Sequence, residues 1–204
     1  MDSQLGHHID FISRDCLQNN PSGKFVWNET NDNNGTADVK SPWLASKLYQ
    51  TLNDATNGVI TTLPEDLQAV ILEKRGWLEE RYSAGGKVNY DTGGSWQNVG
   101  KLWTPTEVEV FGTAHRSDIG DPSGGFVAFG TFGGSLNMQY PIFMSGNKHI
   151  IKGDGNGGSR VGWWELPVCR GSSTQCCYVS YDGAASGNSA SYPRIAVPLC
   201  FRVA

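Results

Sequence analysis

An α+β fold is what this sequence predicts, with two helices in the N-terminal half, small antiparallel sheets and long irregular Gly-rich loops. Three observations predict it. Two segments carry helical periodicity with matching end signals, several short apolar runs alternate or stop at turn signals, and 26 glycines among 204 residues interrupt what lies between. Seven tryptophans and only 18% charged residues supply large apolar anchors, as a packed interior needs and a disordered chain does not.

In chain order, Ile9-Asp10-Phe11-Ile12-Ser13 alternates apolar and polar residues and predicts a half-buried strand. Asn28 to Lys40 is crowded with Asn, Asp, Gly and Thr and predicts a loop. Ser41-Pro42 then supplies an N-cap and a proline at the first helical position, opening a helix from Trp43 to about Asn53 with Leu44, Leu48 and Leu52 on one face. A second helix is predicted from Pro64, with Glu65 and Asp66 in its first turn. It runs through Leu67, Val70 and Ile71 to Lys74-Arg75, before a terminating Gly76.

Ser83 to Gly100 is polar and Gly-rich, and ordered structure resumes at Lys101-Leu102-Trp103-Thr104-Pro105 as a strand running into a short helical turn at Thr106 to Val110. The segments Gly120 to Gly134 and Gly153 to Gly162 predict irregular loops. Trp163-Trp164, Cys177-Tyr178-Val179 and Ile195 to Val203 are the last predicted strands, with a hairpin turn signal at Tyr181-Asp182-Gly183. No internal repeat or linker divides the chain, so one domain over residues 1–204 is expected.

A formal charge of −4, with Lys and Arg spread along the chain, gives no basic footprint for nucleic acid. No apolar run approaches the length of a spanning helix, and Met1-Asp2-Ser3-Gln4 lacks the features of a signal peptide, so no membrane insertion and no visible export signal are expected. Cys16, Cys169, Cys176, Cys177 and Cys200 are odd in number and lack CxxC spacing, which favours free thiols matured in a reducing cytoplasm. Asn28-Glu29-Thr30 and Asn34-Gly35-Thr36 match the glycosylation acceptor pattern, and without a secretion signal they are read as polar loop.

Chemistry finds little support. Asp154, Asn156, Gly158 and Glu165 fall on calcium-loop spacing, but Ser159 stands where that loop requires Gly and Arg160 follows it. His7-His8 with Asp10 is better explained as an exposed polar terminus than as a metal site. No GxSxG, HExxH or P-loop is present, so neither cofactor nor metal is expected and the chain is read as non-enzymatic.

From Leu166 to Ala204 the chain contains no Lys, Glu, Met or Trp, although all four recur before it. Ser, Gly, Ala, Tyr, Cys, Asn, Arg and Pro fill the stretch, a mixture suited to an adaptable contact surface of small groups with aromatic and guanidinium anchors.

The order of landmarks carries a resemblance. Ile9 to Asp15, Ser46 to Asn53, Leu63-Pro64-Glu65-Asp66-Leu67, Lys101 to Gly112, Gly162-Trp163-Trp164 and Tyr178 to Gly183 follow one another as in a bacterial and phage family. That family has the C-type lectin fold, in its formylglycine-generating-enzyme-like branch. The chain resembles the variable proteins of diversity-generating retroelements, whose hypervariable C-terminal segment is rewritten by adenine-directed mutagenesis. Mutating the adenines of an AAC or AAT codon never yields Lys, Glu, Met, Trp or Gln, and only Gln175 breaks that alphabet after Glu165. The resemblance implies a scaffold over about 6–163 and a ligand-binding segment over about 164–204.

Alternation within that segment points Cys177, Val179, Ile195, Val197 and Leu199 inward and Cys176, Tyr178 and Ser180 outward. Arg170, Ser172, Ser173, Gln175, Tyr181, Ala184, Ser186, Asn188, Ser189, Tyr192 and Arg194 complete the expected ligand-binding set. Tyr178, Tyr181, Tyr192, Arg170 and Arg194 are the expected anchors. The resemblance implies a protein or glycan ligand on a host or neighbouring cell surface, with the chain on a virion or a bacterial surface. Two alternatives stay open: a formylglycine-generating oxidase using Cys169 or Cys176, and a virion protein whose C-terminal face packs against its own copies in a homo-oligomer.

Overall fold

The first and last strands meet in one sheet. In the computed structural model, which describes residues 7–17, 19–20, 23–85, 87–89, 94–117, 139–144, 146, 149–155 and 158–204, β1 (Ile9–Leu17) pairs antiparallel with β15 (Val197–Val203), and β5 (Ile71–Leu72) pairs on its other side. The register of β1 shifts between Ile12 and Cys16. At that irregularity the Lys152 ammonium donates to the Ser13 and Arg14 carbonyl oxygens at 2.6 and 3.4 Å, replacing ladder partners.

The protein is α+β, with few short helices and small antiparallel sheets. The helix predicted from Trp43 is broken into α1 (Pro42–Ala45) and α2 (Lys47–Asn53). Ser46 makes the break, because its hydroxyl donates to the Trp43 carbonyl and accepts from the Tyr49 N–H, which caps a new helix instead of continuing the old one. Leu48 and Leu52 are buried and Leu44 packs against the same cluster, as the spacing predicts.

The second predicted helix is too long. A 3₁₀ turn (Val59–Thr62) precedes α3 (Glu65–Val70), the chain then passes through β5, and Lys74, Arg75 and Gly76 lie in β6 (Lys74–Glu79) rather than at a helix end. The physical reason is the destination of Lys74. Its ammonium is buried, paired with the Glu109 carboxylate, bonded to the Tyr140 hydroxyl at 2.7 Å and placed over the Trp103 ring. Tyr140 in turn donates to Asp10 at 3.3 Å, and Asp10 accepts two bonds from Arg202, at 2.6 and 3.0 Å. A chain of charged and hydroxyl groups thus ties β1, β6 and β15 to α4 (Glu107–Phe111).

The Gly-rich stretch after Ser83 also corrects the sequence. It carries β7 (Tyr82–Ala84), β8 (Lys87–Asn89) and β9 (Gly94–Gly100), the last paired with β6. The helical turn expected after Pro105 is α4, opened by a reciprocal Thr106–Glu109 capping box. The predicted loop at Gly120 to Gly134 lies outside the described residues.

Apolar side chains collect in two clusters. The larger joins Phe25, Trp27, Trp43, Leu48, Leu52, Leu102 and Trp103 to Trp164, Val168, Cys176 and Val197, and the smaller holds Cys16, Val110, Phe143, Trp163, Val179 and Ala196. Between them runs the sheet that positions the C-terminal segment: β12 (Trp163–Val168), β13 (Gln175–Val179) and β14 (Ala185–Ser189), in that order.

Candidate functional site

Every residue of β12 is buried, so this strand is framework. The middle strand, β13, contributes residues to both clusters: Cys176 to the larger, Val179 to the smaller. Cys177 is as fully enclosed as Val179. The expectation that Cys176 faces a ligand is therefore wrong. Alternation gives a strand one free face only when that face meets solvent, and here the Cys176 face is fully buried in the larger apolar cluster. Tyr178 lies between the two outcomes, half-buried with its ring edge-on to Trp164 at 6.1 Å. Ile195 and Val197 are buried as expected, and Leu199 is half-buried.

Exposure belongs to the connections and the edge strand. Arg170 is exposed and Ser172 and Ser173 are half-buried in the β12–β13 loop, and Gln175 is exposed at the start of β13. Tyr181, at 65% exposure, and Ala184 occupy the β13–β14 turn, with Ser180 half-buried at its start. Ser186, Asn188 and Ser189 are half-buried on β14, and Tyr192 and Arg194 are exposed beyond it. These residues do not converge on one spot. Tyr181 and Ala184 sit at one end of the hairpin while Arg170, Gln175, Tyr192 and Arg194 are placed by segments at the other, roughly 15 Å away along the five-residue strands.

Local chemistry fixes each end. At the turn, the Ser180 hydroxyl and the Ala184 N–H both donate to one Asp182 oxygen, and the Ser180 bond, first, with the Ala184 N–H, holds the Asp182 carboxyl below its ordinary pKa. Gly183 adopts φ +90, a left-handed conformation that the tight turn requires. At the other end the Ser172 hydroxyl accepts the Thr174 and Gln175 N–H groups at 3.3 and 3.1 Å, which shapes the loop.

A second segment, which no local pattern places here, clamps that end. The Trp27 and Asn28 N–H groups both donate to the Ala190 carbonyl at 2.9 Å. Asn33 bonds Ser173 through its backbone and the Ser172 and Gln175 carbonyls through its amide. Arg81, buried to 1% exposure, donates to the Cys169 and Ser172 carbonyls and to the Asn33 and Asn34 side chains. The Ser189 hydroxyl reaches Asn31 at 2.5 Å. Exposed Glu29, Thr30, Asn31 and Asp32 accordingly flank the C-terminal segment. The only sequence signal was the density of Asn and Asp there, which marks a loop but not its neighbour.

Around Cys177 the interior turns polar. The Cys169 and Cys177 sulfurs are 3.7 Å apart, and Glu107 and Glu165 are their electrostatic neighbours. Glu107 accepts bonds from the His115, Arg116 and Ser117 N–H groups and the Ser117 hydroxyl. Neither carboxyl oxygen of Glu165 has a hydrogen-bond partner among the described residues, and burial, reinforced by Glu107, pushes its pKa well above the carboxylate range. That burial removes Glu165 from the calcium-loop spacing. Asp154 closes a short turn with Gly158 and Ser159, and Asn156 is outside the described residues. Asp10, taken with His7 and His8 in the sequence, is held by Arg202.

All five cysteines are free and buried. Burial raises the Cys16 thiol to about 12 and pushes Cys176, Cys177 and Cys200 up as well. Among the described residues no group of three or more His, Cys, Asp and Glu is disposed to hold a metal, and no helix is long and apolar enough to cross a membrane. Compared with family models, with curated proteins and with solved structures, the chain matches none.

Proposed function

We propose that the protein is a non-enzymatic binding protein with a C-type lectin fold of the formylglycine-generating-enzyme-like branch. Its C-terminal segment recognises a protein or glycan on a host or neighbouring cell surface, and a diversity-generating retroelement rewrites that segment. The observation that carries this is the division of side chains around the β13–β14 hairpin. Exposed residues of restricted chemistry, Tyr181, Tyr192, Arg170 and Arg194, stand on connections, while their neighbours Cys176, Cys177, Val179 and Ile195 are buried in the interior. Large rings and planar guanidinium groups dominate interface energies, and small Ser, Ala and Asn neighbours supply fit without threatening the core. The protein would act on a virion or a bacterial surface.

The neighbouring DNA tests diversification. A reverse-transcriptase gene, with a near-copy of the 3′ coding segment differing mainly at adenines, is the expected finding; a coding region without either removes the retroelement from the proposal. Binding is tested separately by displaying a library randomised at Arg170, Tyr181, Tyr192 and Arg194 and selecting on intact bacterial cells. Enrichment of folded clones is expected. A library that loses folding at those positions would place them in the framework and sink the assignment. Light scattering after size exclusion distinguishes a self-packing virion face, which would give a defined oligomer that Tyr181→Ala or Tyr192→Ala dissociates.

A further inference from the structure

We infer that Cys169 and Cys177 are a covalent modification site: a low-molecular-weight disulfide oxidises them to an intrachain disulfide that staples the loop from Arg170 to Cys176. This is independent of the proposed ligand. The carrying observation is geometric. The two sulfurs are already 3.7 Å apart, with Cys177 on β13 and Cys169 just past the end of β12, where its N–H donates to the Gln175 carbonyl and its own carbonyl accepts from Arg81. Closing to a covalent bond of about 2.05 Å needs the sulfurs to approach by under about 2 Å.

The room for this pair is built into β14. Gly187 stands opposite Cys177, and a Cβ at Gly187 would lie 2.6 Å from the Cys169 sulfur, so the missing side chain is the space that sulfur occupies. The other thiols are poor competitors. Cys176 is adjacent to Cys177 in the chain and packs in the larger apolar cluster, and Cys16 and Cys200 lie on β1 and β15.

The chemistry balances as two exchanges. The Cys169 thiolate attacks one sulfur of the small disulfide and expels one thiolate; the Cys177 thiolate then attacks the Cys169 sulfur and expels the other. Two protein thiols are oxidised, one small disulfide is reduced to two thiols, and the two protons pass to the departing thiolates. The pair is buried at 5% and 0% exposure, so exchange proceeds through transient opening of the β12–β13 loop, which carries Arg170. Once formed, the staple closes a short loop and stiffens the same residues that flank the hairpin.

Mass spectrometry of the full chain after incubation with oxidised glutathione at mildly alkaline pH, with acid quenching and digestion, tests this. The expected result is a loss of about 2 Da and a peptide joining Cys169 to Cys177, both reversed by dithiothreitol. The melting temperature should rise by about 5 °C, as closure of a short loop in a chain of this size implies. Retention of five thiols, a lasting glutathione adduct without closure, a link through Cys16, Cys176 or Cys200, or a lowered melting temperature would each overturn it. Because the wild-type chain gives this result, no variant has to fold; Cys177→Ala serves only to trap the mixed disulfide on Cys169.

Discussion

The environments of Cys176 and Cys177, neighbours on one strand, are built from different materials. Cys176 lies with Trp164 and Val168 in a tryptophan-rich apolar cluster, where volume and shape set the energy. Cys177 meets Cys169, with Glu165 and Glu107 in electrostatic range, where each polar group must find a partner or give up its charge. Outside both, the edge strand β14 is half-buried and carries small residues, and the connections expose Arg170, Tyr181, Tyr192 and Arg194. Tolerance to change should therefore fall sharply from the edge to either side of the sheet, and for two different reasons.

Trp164→Ala should break the apolar side most severely. It removes a fully buried indole that also supports Tyr178, at a cost of about 4 kcal/mol in chemical denaturation. Arg81→Ala should come next, at about 3 kcal/mol, because the Cys169 and Ser172 carbonyls and the Asn33 and Asn34 side chains lose a buried donor together. Hydrogen exchange in residues 169–175 should rise in that variant more than in Trp164→Ala; equal rises would mean Arg81 is no specific clamp. Gly187→Ala should cost about 2 kcal/mol by driving a methyl group into the Cys169 sulfur.

Glu165 sharpens the polar side through pH. Its folded pKa is raised, so the native state keeps a proton that the unfolded chain, with an ordinary pKa of about 4.3, has lost. The stability present below the unfolded value is lost as pH rises towards the folded one, at about 1.4 kcal/mol per pH unit from this group. Glu165→Gln should flatten that slope and melt no lower than wild type at pH 7. A steeper slope in the variant would show that the carboxylate is charged in the native state.

The smallest effects belong to the edge. Ser186→Ala and Arg194→Ala should each stay within about 0.5 kcal/mol of wild type. Ser172 and Ser189 should cost more than these two, because the first hydroxyl orders a loop and the second bonds Asn31. Losses at Ser186 comparable to those at Gly187 would erase the distinction between edge and interior.

Much of this was legible in the residues. The α1–α2 leucines, the helical turn at α4, the hairpin turn at Gly183 and the inward set Cys177, Val179, Ile195 and Val197 follow from patterns within a few positions of each other. Such patterns report which groups a local backbone can satisfy. Cys176 could not be placed that way, because whether a strand has a free face depends on what packs over it. Lys74 and Arg75 satisfied the rule for a helix end, yet a distant carboxylate and hydroxyl drew Lys74 into the interior.

By itself, then, the chain determined its α+β character, its helix starts and turns, and which stretch carries the restricted chemistry, since each is set by short-range sterics, hydrogen bonding and composition. Tertiary structure alone decided that β13 is covered on both sides, that Arg81 and Asn33 clamp a loop far away in sequence, and that Cys169 meets Cys177 under Gly187. Those outcomes depend on contacts between segments far apart in the chain, whose partners no local pattern specifies.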